Sequence, residues 1–211
     1  MKKHEILQRM LTDRLVGIIR TNTAEEAVLA SEACIRGGMN CLEVTFTVPG
    51  AEGVIQELSQ KFKAGDILIG AGTVLDAETA RVALLNGAEF IVSPTFDLEV
   101  AKMCNRYSKL YTPGVMTLNE IMTAMEAGVD LVKIFPASAM GPKYLKAVKA
   151  PLPQTLLMPT GGVSLENAAD WLENGADALG IGGQLTQGVK TGDYKAVEDT
   201  ARKFCEIVKR V

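Results

Sequence analysis

The feature that most constrains this chain is a recurrence. A short apolar run followed by a helical stretch appears eight times. The runs are Leu15–Arg20, Cys41–Phe46, Leu68–Thr73, Phe90–Thr95, Leu110–Val115, Leu131–Pro136, Leu156–Gly161 and Ala178–Gly183. Successive starts differ by 26, 27, 22, 20, 21, 25 and 22 residues. A step of about 23 residues holds a strand of about six, a helix of about eleven and two short loops. The runs show no polar alternation, as in Ile67-Leu68-Ile69 and Leu131-Val132. Strands covered on both faces read this way, and parallel sheets are covered on both faces.

The joints repeat as well. Gly37-Gly38-Met39-Asn40, Gly87-Ala88-Glu89, Gly128-Val129-Asp130 and Gly175-Ala176-Asp177 each end a helix and lead into a run. Glycine accepts the left-handed conformation that closes a helix, so four such joints mark repeated units. Asp76 and Ser164 stand where a side chain caps a following helix, and Asp97 and Asn119 are further cap candidates.

Eight units can close into a barrel or open into a doubly wound sheet. Even spacing and the lack of a GxGxxG after the first run favour the barrel. The expectation is one (β/α)8 (TIM) barrel domain over residues 1–211. Residues 2–12 form an extra N-terminal helix across its bottom, and residues 193–210 the last helix. At 211 residues the chain can bury its own core.

Composition removes several functions. Net charge is −3 and no basic stripe occurs, which argues against nucleic acid. No apolar run approaches the roughly 20 residues that span a membrane. The start lacks a signal-peptide pattern, so a cytoplasmic location is expected. Cys34, Cys41, Cys104 and Cys205 then read as reduced core thiols. His4 is the single histidine and reads as exposed. Zinc sites and Ser-His-Asp chemistry both become improbable, and no metal or cofactor is expected. Asp66 and Asp76 read as turn or cap residues.

In such a barrel the chemistry sits at the C-terminal strand ends. Two residues there break the apolar pattern. Lys133 lies inside Leu131-Val132-Lys133-Ile134-Phe135. Burying an ammonium is costly unless it is paired or its pKa falls. A neutral lysine can attack a ketone and form a Schiff base. The alternative is a strand-end lysine reaching to water. Glu43, inside Cys41-Leu42-Glu43-Val44-Thr45, would shuttle protons beside it, or form a structural ion pair with it. Gly161-Gly162 and Gly182-Gly183 end the seventh and eighth runs, where barrels often hold phosphate on bare backbone amides. Tight turns also want glycine.

Six motifs in order resemble the 2-keto-3-deoxy-6-phosphogluconate (KDPG) and 4-hydroxy-2-oxoglutarate (KHG) aldolase family. They are Leu42-Glu43-Val44-Thr45, Gly70-Ala71-Gly72-Thr73-Val74, Ile91-Val92-Ser93-Pro94, Thr112-Pro113-Gly114-Val115, Val132-Lys133-Ile134-Phe135-Pro136 and Pro159-Thr160-Gly161-Gly162-Val163. The resemblance implies a metal-free class I aldolase, usually a homotrimer, that cleaves a phosphorylated 2-keto acid to pyruvate and an aldehyde. It implies Lys133 as the Schiff-base lysine and Glu43 as the general acid/base. Thr73, Pro94 and Phe135 would line the pyruvyl pocket, and Gly161, Gly162, Gly182 and Gly183 would hold phosphate. Two positions depart from many members. Thr47 stands where they carry an arginine for the keto-acid carboxylate, a role Arg20 could fill. Gln184 stands where they place a serine at the phosphate site. The galactonate epimer of KDPG is the runner-up substrate. A phosphosugar epimerase with Glu43 as base and Lys133 as an electrostatic clamp is the rival enzyme, and a phosphosugar-binding protein without turnover the rival outside catalysis.

Overall fold

A computed structural model describes residues 1–62 and 65–211. The strands are β1 (Leu15–Ile19), β2 (Cys41–Thr45), β3 (Leu68–Gly72), β4 (Phe90–Val92), β5 (Leu110–Thr112), β6 (Gly114–Val115), β7 (Leu131–Ile134), β8 (Leu156–Pro159) and β9 (Leu179–Ile181). The helices are α1 (Lys3–Asp13), α2 (Ala24–Arg36), α3 (Ala51–Lys61), α4 (Ala77–Leu85), α5 (Leu98–Arg106), α6 (Leu118–Glu126), α7 (Lys143–Lys149), α8 (Ala168–Glu173) and α9 (Tyr194–Val208).

All strand pairs are parallel. They form a six-stranded sheet in the order β5-β4-β3-β2-β1-β9 and a three-stranded sheet β6-β7-β8. The fifth expected strand is therefore two. Pro113 interrupts it because proline has no N–H to give the ladder. The Pro113 carbonyl instead accepts from Lys133 N at 2.8 Å, and Gly114 N donates to Ser93 O at 2.9 Å. At the other edge a single bridge joins Thr160 to Gly180.

The lack of alternation in the runs hides a real period of two. Leu42, Val44, Val132 and Ile134 pack among the surrounding helices. Cys41, Leu68, Phe90, Leu110, Leu131 and Met158 pack on the opposite face, against Ile6 and Met10 of α1. Both faces are dry, so both carry apolar residues. Gly70 lacks a side chain there because a Cβ would overlap the Phe90 ring.

α1 is the expected first helix, displaced by one residue. Ile6 and Met10 are fully buried, and burying each stabilises the fold by about 1.5–3 kcal/mol. Arg9 ties the helix down by donating to the carbonyls of Gly65 and Asp66. The glycines that close α2, α4, α6 and α8 do so with positive φ, at Gly38 (96°), Gly87 (100°), Gly128 (83°) and Gly175 (103°).

Asp76 and Asp97 cap α4 and α5 by accepting from Thr79 N and Val100 N. Two cap expectations fail. Asn119 lies inside α6, and the cap is Thr117, paired with Glu120 in a reciprocal box. Ser164 does not cap α8; its N–H donates to Asn167 Oδ1, one turn before the helix. The four cysteines are buried and free, and His4 is exposed. Burial pushes the thiols of Cys34 and Cys104 up to about 12, so they are inert. No helix among the described residues is long and apolar enough to cross a membrane.

Candidate active site

Register brings the two outlying ionisable residues to one place. Glu43 pairs with Ile18 and Gly70 across the six-stranded sheet, and Lys133 pairs with Gly114 and Met158 in the other. Both side chains leave the face that buries Cys41 and Leu131, two residues nearer the strand ends. Glu43 is 1% exposed and Lys133 5%. The reading of Lys133 as a lysine reaching to bulk water therefore fails. Gly72 makes room for the carboxylate, since a Cβ there would overlap Glu43 Oε1.

The Glu43 Oε2 atom is buried without a hydrogen-bond partner. Native structures seldom tolerate such an atom without a purpose. Among the described residues no ion pair includes Glu43, so no tight pair absorbs the carboxylate. Burial pushes the Glu43 carboxyl above its usual range, while the positive charges of Lys133 and Arg20 pull it back. Burial pushes the Lys133 ammonium below its usual value; Glu43 opposes this and Arg20 adds to it. Burial is the largest cause for both, so each group is moved toward its neutral form. The Lys133 nitrogen lies 4.8 Å from the centre of the Phe135 ring.

A cavity of about 380 Å³ opens from Lys133. Phe135, Arg20, Gly161, Gly162, Gly182 and Gly183 line it with the lysine. Arg20 donates to Thr73 Oγ1 at 3.3 Å. Thr73 holds φ at 56°, a left-handed backbone that β-branched residues avoid. Thr73 thus meets the cavity through Arg20. Pro94 lines an adjoining recess that shares Phe135 with the cavity.

The glycine pairs differ in cause. Gly161 and Gly162 have φ of 87° and 83°, so the turn itself requires them. Gly182 and Gly183 have no positive φ, and a Cβ on Gly183 would meet nothing within 4 Å. The fold does not need glycine at 183, and its absence of a side chain leaves bare backbone facing the cavity. Gln184 turns away from this space: its Oε1 accepts from Leu165 N at 2.8 Å. Thr47 bonds Thr45 Oγ1 at 2.8 Å and is otherwise exposed. Thr160, Thr186 and Lys190 also line the cavity. Sequence reasoning assigned them no role. Lys190 carried no signal, because an exposed lysine in a polar segment looks like any other. No group of three or more His, Cys, Asp or Glu side chains among the described residues is placed to hold a metal.

Comparison with known proteins agrees with this geometry. The pattern of the KDPG and KHG aldolases matches residues 6–200. The chain belongs to that family. It is a carbon–carbon lyase on an α/β fold of parallel sheets. The chain is 34% identical over 208 residues to the 2-dehydro-3-deoxy-phosphogluconate aldolase of Treponema pallidum, covering 97% of this chain and 96% of that protein. It is 37% identical over 197 residues to the 2-dehydro-3-deoxy-6-phosphogalactonate aldolase of Escherichia coli, covering 92% and 93%. The KDPG aldolase of Legionella pneumophila, solved with pyruvate captured as a covalent carbinolamine, superimposes with a TM-score of 0.84 at 28% identity, over 92% of this chain and 94% of that one.

Proposed function

We propose that this aldolase cleaves KDPG to pyruvate and glyceraldehyde 3-phosphate, and KHG to pyruvate and glyoxylate, through a Schiff base on Lys133. The observation that carries this is a buried lysine in a cavity lined by bare glycine backbone, with a buried carboxylate, one oxygen of it unbonded, close enough for the two charges to act on each other. Lys133 attacks the C2 ketone as a neutral amine. The carbinolamine loses water, and a cationic imine forms. The imine accepts the electron pair of the C3–C4 bond as the C4 hydroxyl gives its proton to Glu43. The aldehyde departs, leaving an enamine. Glu43 returns the proton to C3, and water releases pyruvate and the free amine. Arg20 holds the keto-acid carboxylate, with Thr73 steadying its guanidinium. Pro94 and Phe135 bound the pyruvyl space. Gly161, Gly162, Gly182 and Gly183 bind the phosphate.

The galactonate epimer of KDPG is the second reading, favoured by the 37% identity to the Escherichia coli phosphogalactonate enzyme. The chain is read as one cytoplasmic domain. Its two sheets are arcs of a closed (β/α)8 barrel, supported by the covalent continuity through Pro113 and the Thr160–Gly180 bridge. It assembles as a homotrimer. Leu75, Val82, Leu85, Leu98, Leu118 and Met122, exposed on or beside α4, α5 and α6, support self-association.

Incubation with pyruvate and borohydride should add one reduced pyruvyl group per chain by mass, and Lys133→Ala should abolish it. A wild-type protein that gains no mass would overturn the Schiff base and favour an epimerase with Glu43 as base and Lys133 as an electrostatic clamp. Cleavage assays across KDPG, its galactonate epimer and KHG then rank the substrates.

A further inference from the structure

The cavity holds more positive charge than the chemistry of one ketone needs. Among the described residues, its lining lysines and arginines are Lys133, Arg20 and Lys190. Lys133 is committed to the carbonyl. Arg20 stands close enough to Lys133 and Glu43 to shift both. Lys190 lines the same cavity as Gly161, Gly162, Gly182 and Gly183, with Thr186 and Val189. Among the described residues no carboxylate engages it. Glu26, also at the rim, has its carboxylate turned to the N–H groups of Asn22 and Thr23.

The segment that carries Lys190 is held firmly. Lys190 is the last residue but one of a short 3-10 helix, Gln187–Thr191. Val189 is 8% exposed and anchors it, and Gly188 packs so closely that a Cβ would overlap the Asp193 carbonyl. Gln184 does not line this cavity; its side chain is drawn to Leu165 N and Glu166.

We propose that Lys190 is a specificity-determining residue that pairs with the distal phosphate of the substrate. The proposal rests on the aldolase reading and adds to it the group that separates phosphorylated from unphosphorylated substrates. A phosphate oxygen takes an ammonium as a point charge, and the neighbouring glycine amides supply direction.

The test compares wild type, Lys190→Ala and Lys190→Arg on KDPG and on KHG, which carries no phosphate. For Lys190→Ala the ratio of kcat/KM for KDPG to that for KHG should fall roughly three- to tenfold, the range between an exposed ion pair and a charged hydrogen bond. The loss should appear in KM rather than kcat, and Lys190→Arg should restore most of it. An unchanged ratio, or an equal loss on both substrates, would overturn the proposal. A second arm needs no turnover. Inorganic phosphate should raise the melting temperature of wild type more than that of Lys190→Ala, and equal shifts would count against Lys190. Failure of the aldolase reading is seen separately, as a wild-type protein that takes up no pyruvate under borohydride.

Discussion

Two levels of one strand face behave oppositely. At the first level Val16, Cys41, Leu68, Leu110, Leu131 and Ala178 pack with α1 into a dry cluster. Two residues further along the same strands stand Ile18, Glu43, Gly70, Thr112, Lys133 and Gly180. The lower level is sealed by Ile6 and Met10. The upper level contains two of the three buried side-chain polar atoms left without a partner among the described residues, Glu43 Oε2 and Thr112 Oγ1. The lower level is apolar and closed; the upper one leaves buried polar atoms unbonded, at an energetic cost. The division fits the general tendency of parallel α/β sheets to bind ligands at the carboxyl ends of their strands.

Substitutions at the two levels should therefore move stability and activity in opposite senses. Glu43→Gln should lower kcat about 10²- to 10⁴-fold, the usual worth of a positioned acid/base. It should not destabilise the fold near neutral pH. The sign follows from Glu43 having a folded pKa above its unfolded value. Between those two values the folded state binds more protons, so wild-type stability falls as pH rises through that window. The stability gained by Glu43→Gln should grow from acid toward neutral pH; chemical denaturation at several pH values would show it. A destabilised Glu43→Gln would mean that the carboxylate is structural.

Phe90→Ala tests the lower level. Phe90 is fully buried against Gly70, and its loss should cost about 3–5 kcal/mol in denaturant titrations. Chains that remain folded should still take up pyruvate. Loss of the adduct in a folded Phe90→Ala protein would show that the two levels are coupled. Gly183→Ala is the mildest change. A Cβ there meets open space, so stability should change by less than about 0.5 kcal/mol. KM for the phosphorylated substrate should rise while KM for KHG stays put. Equal KM values would remove Gly183 from the phosphate site.

Much of this was readable along the chain because it depends on local rules. The four closing glycines were legible, since a helix end that needs positive φ leaves few other choices. Lys133 and Glu43 were legible because an ionisable residue inside an apolar strand is costly wherever the strand lies. The cap of α6 was not. Asn119 and Thr117 are both plausible caps in sequence, and only the path of the chain shows that Thr117 accepts from Glu120 N. The break at Pro113 was hidden because the apolar run continues across it while the ladder changes partner, from β4 before it to β7 after it.

By itself the sequence determined the repeat of strand and helix, the parallel pairing, and the two residues that do not belong in a greasy strand. Each of these follows from propensity, periodicity or desolvation, which act over a few residues. Tertiary structure alone decided that Glu43 comes close enough to Lys133 for their charges to act on each other, that no ion pair among the described residues joins them, and that Lys190 lines the same cavity as Lys133. Those facts join residues 57 to 147 positions apart in the chain. They depend on strand register and loop path, which no local pattern encodes.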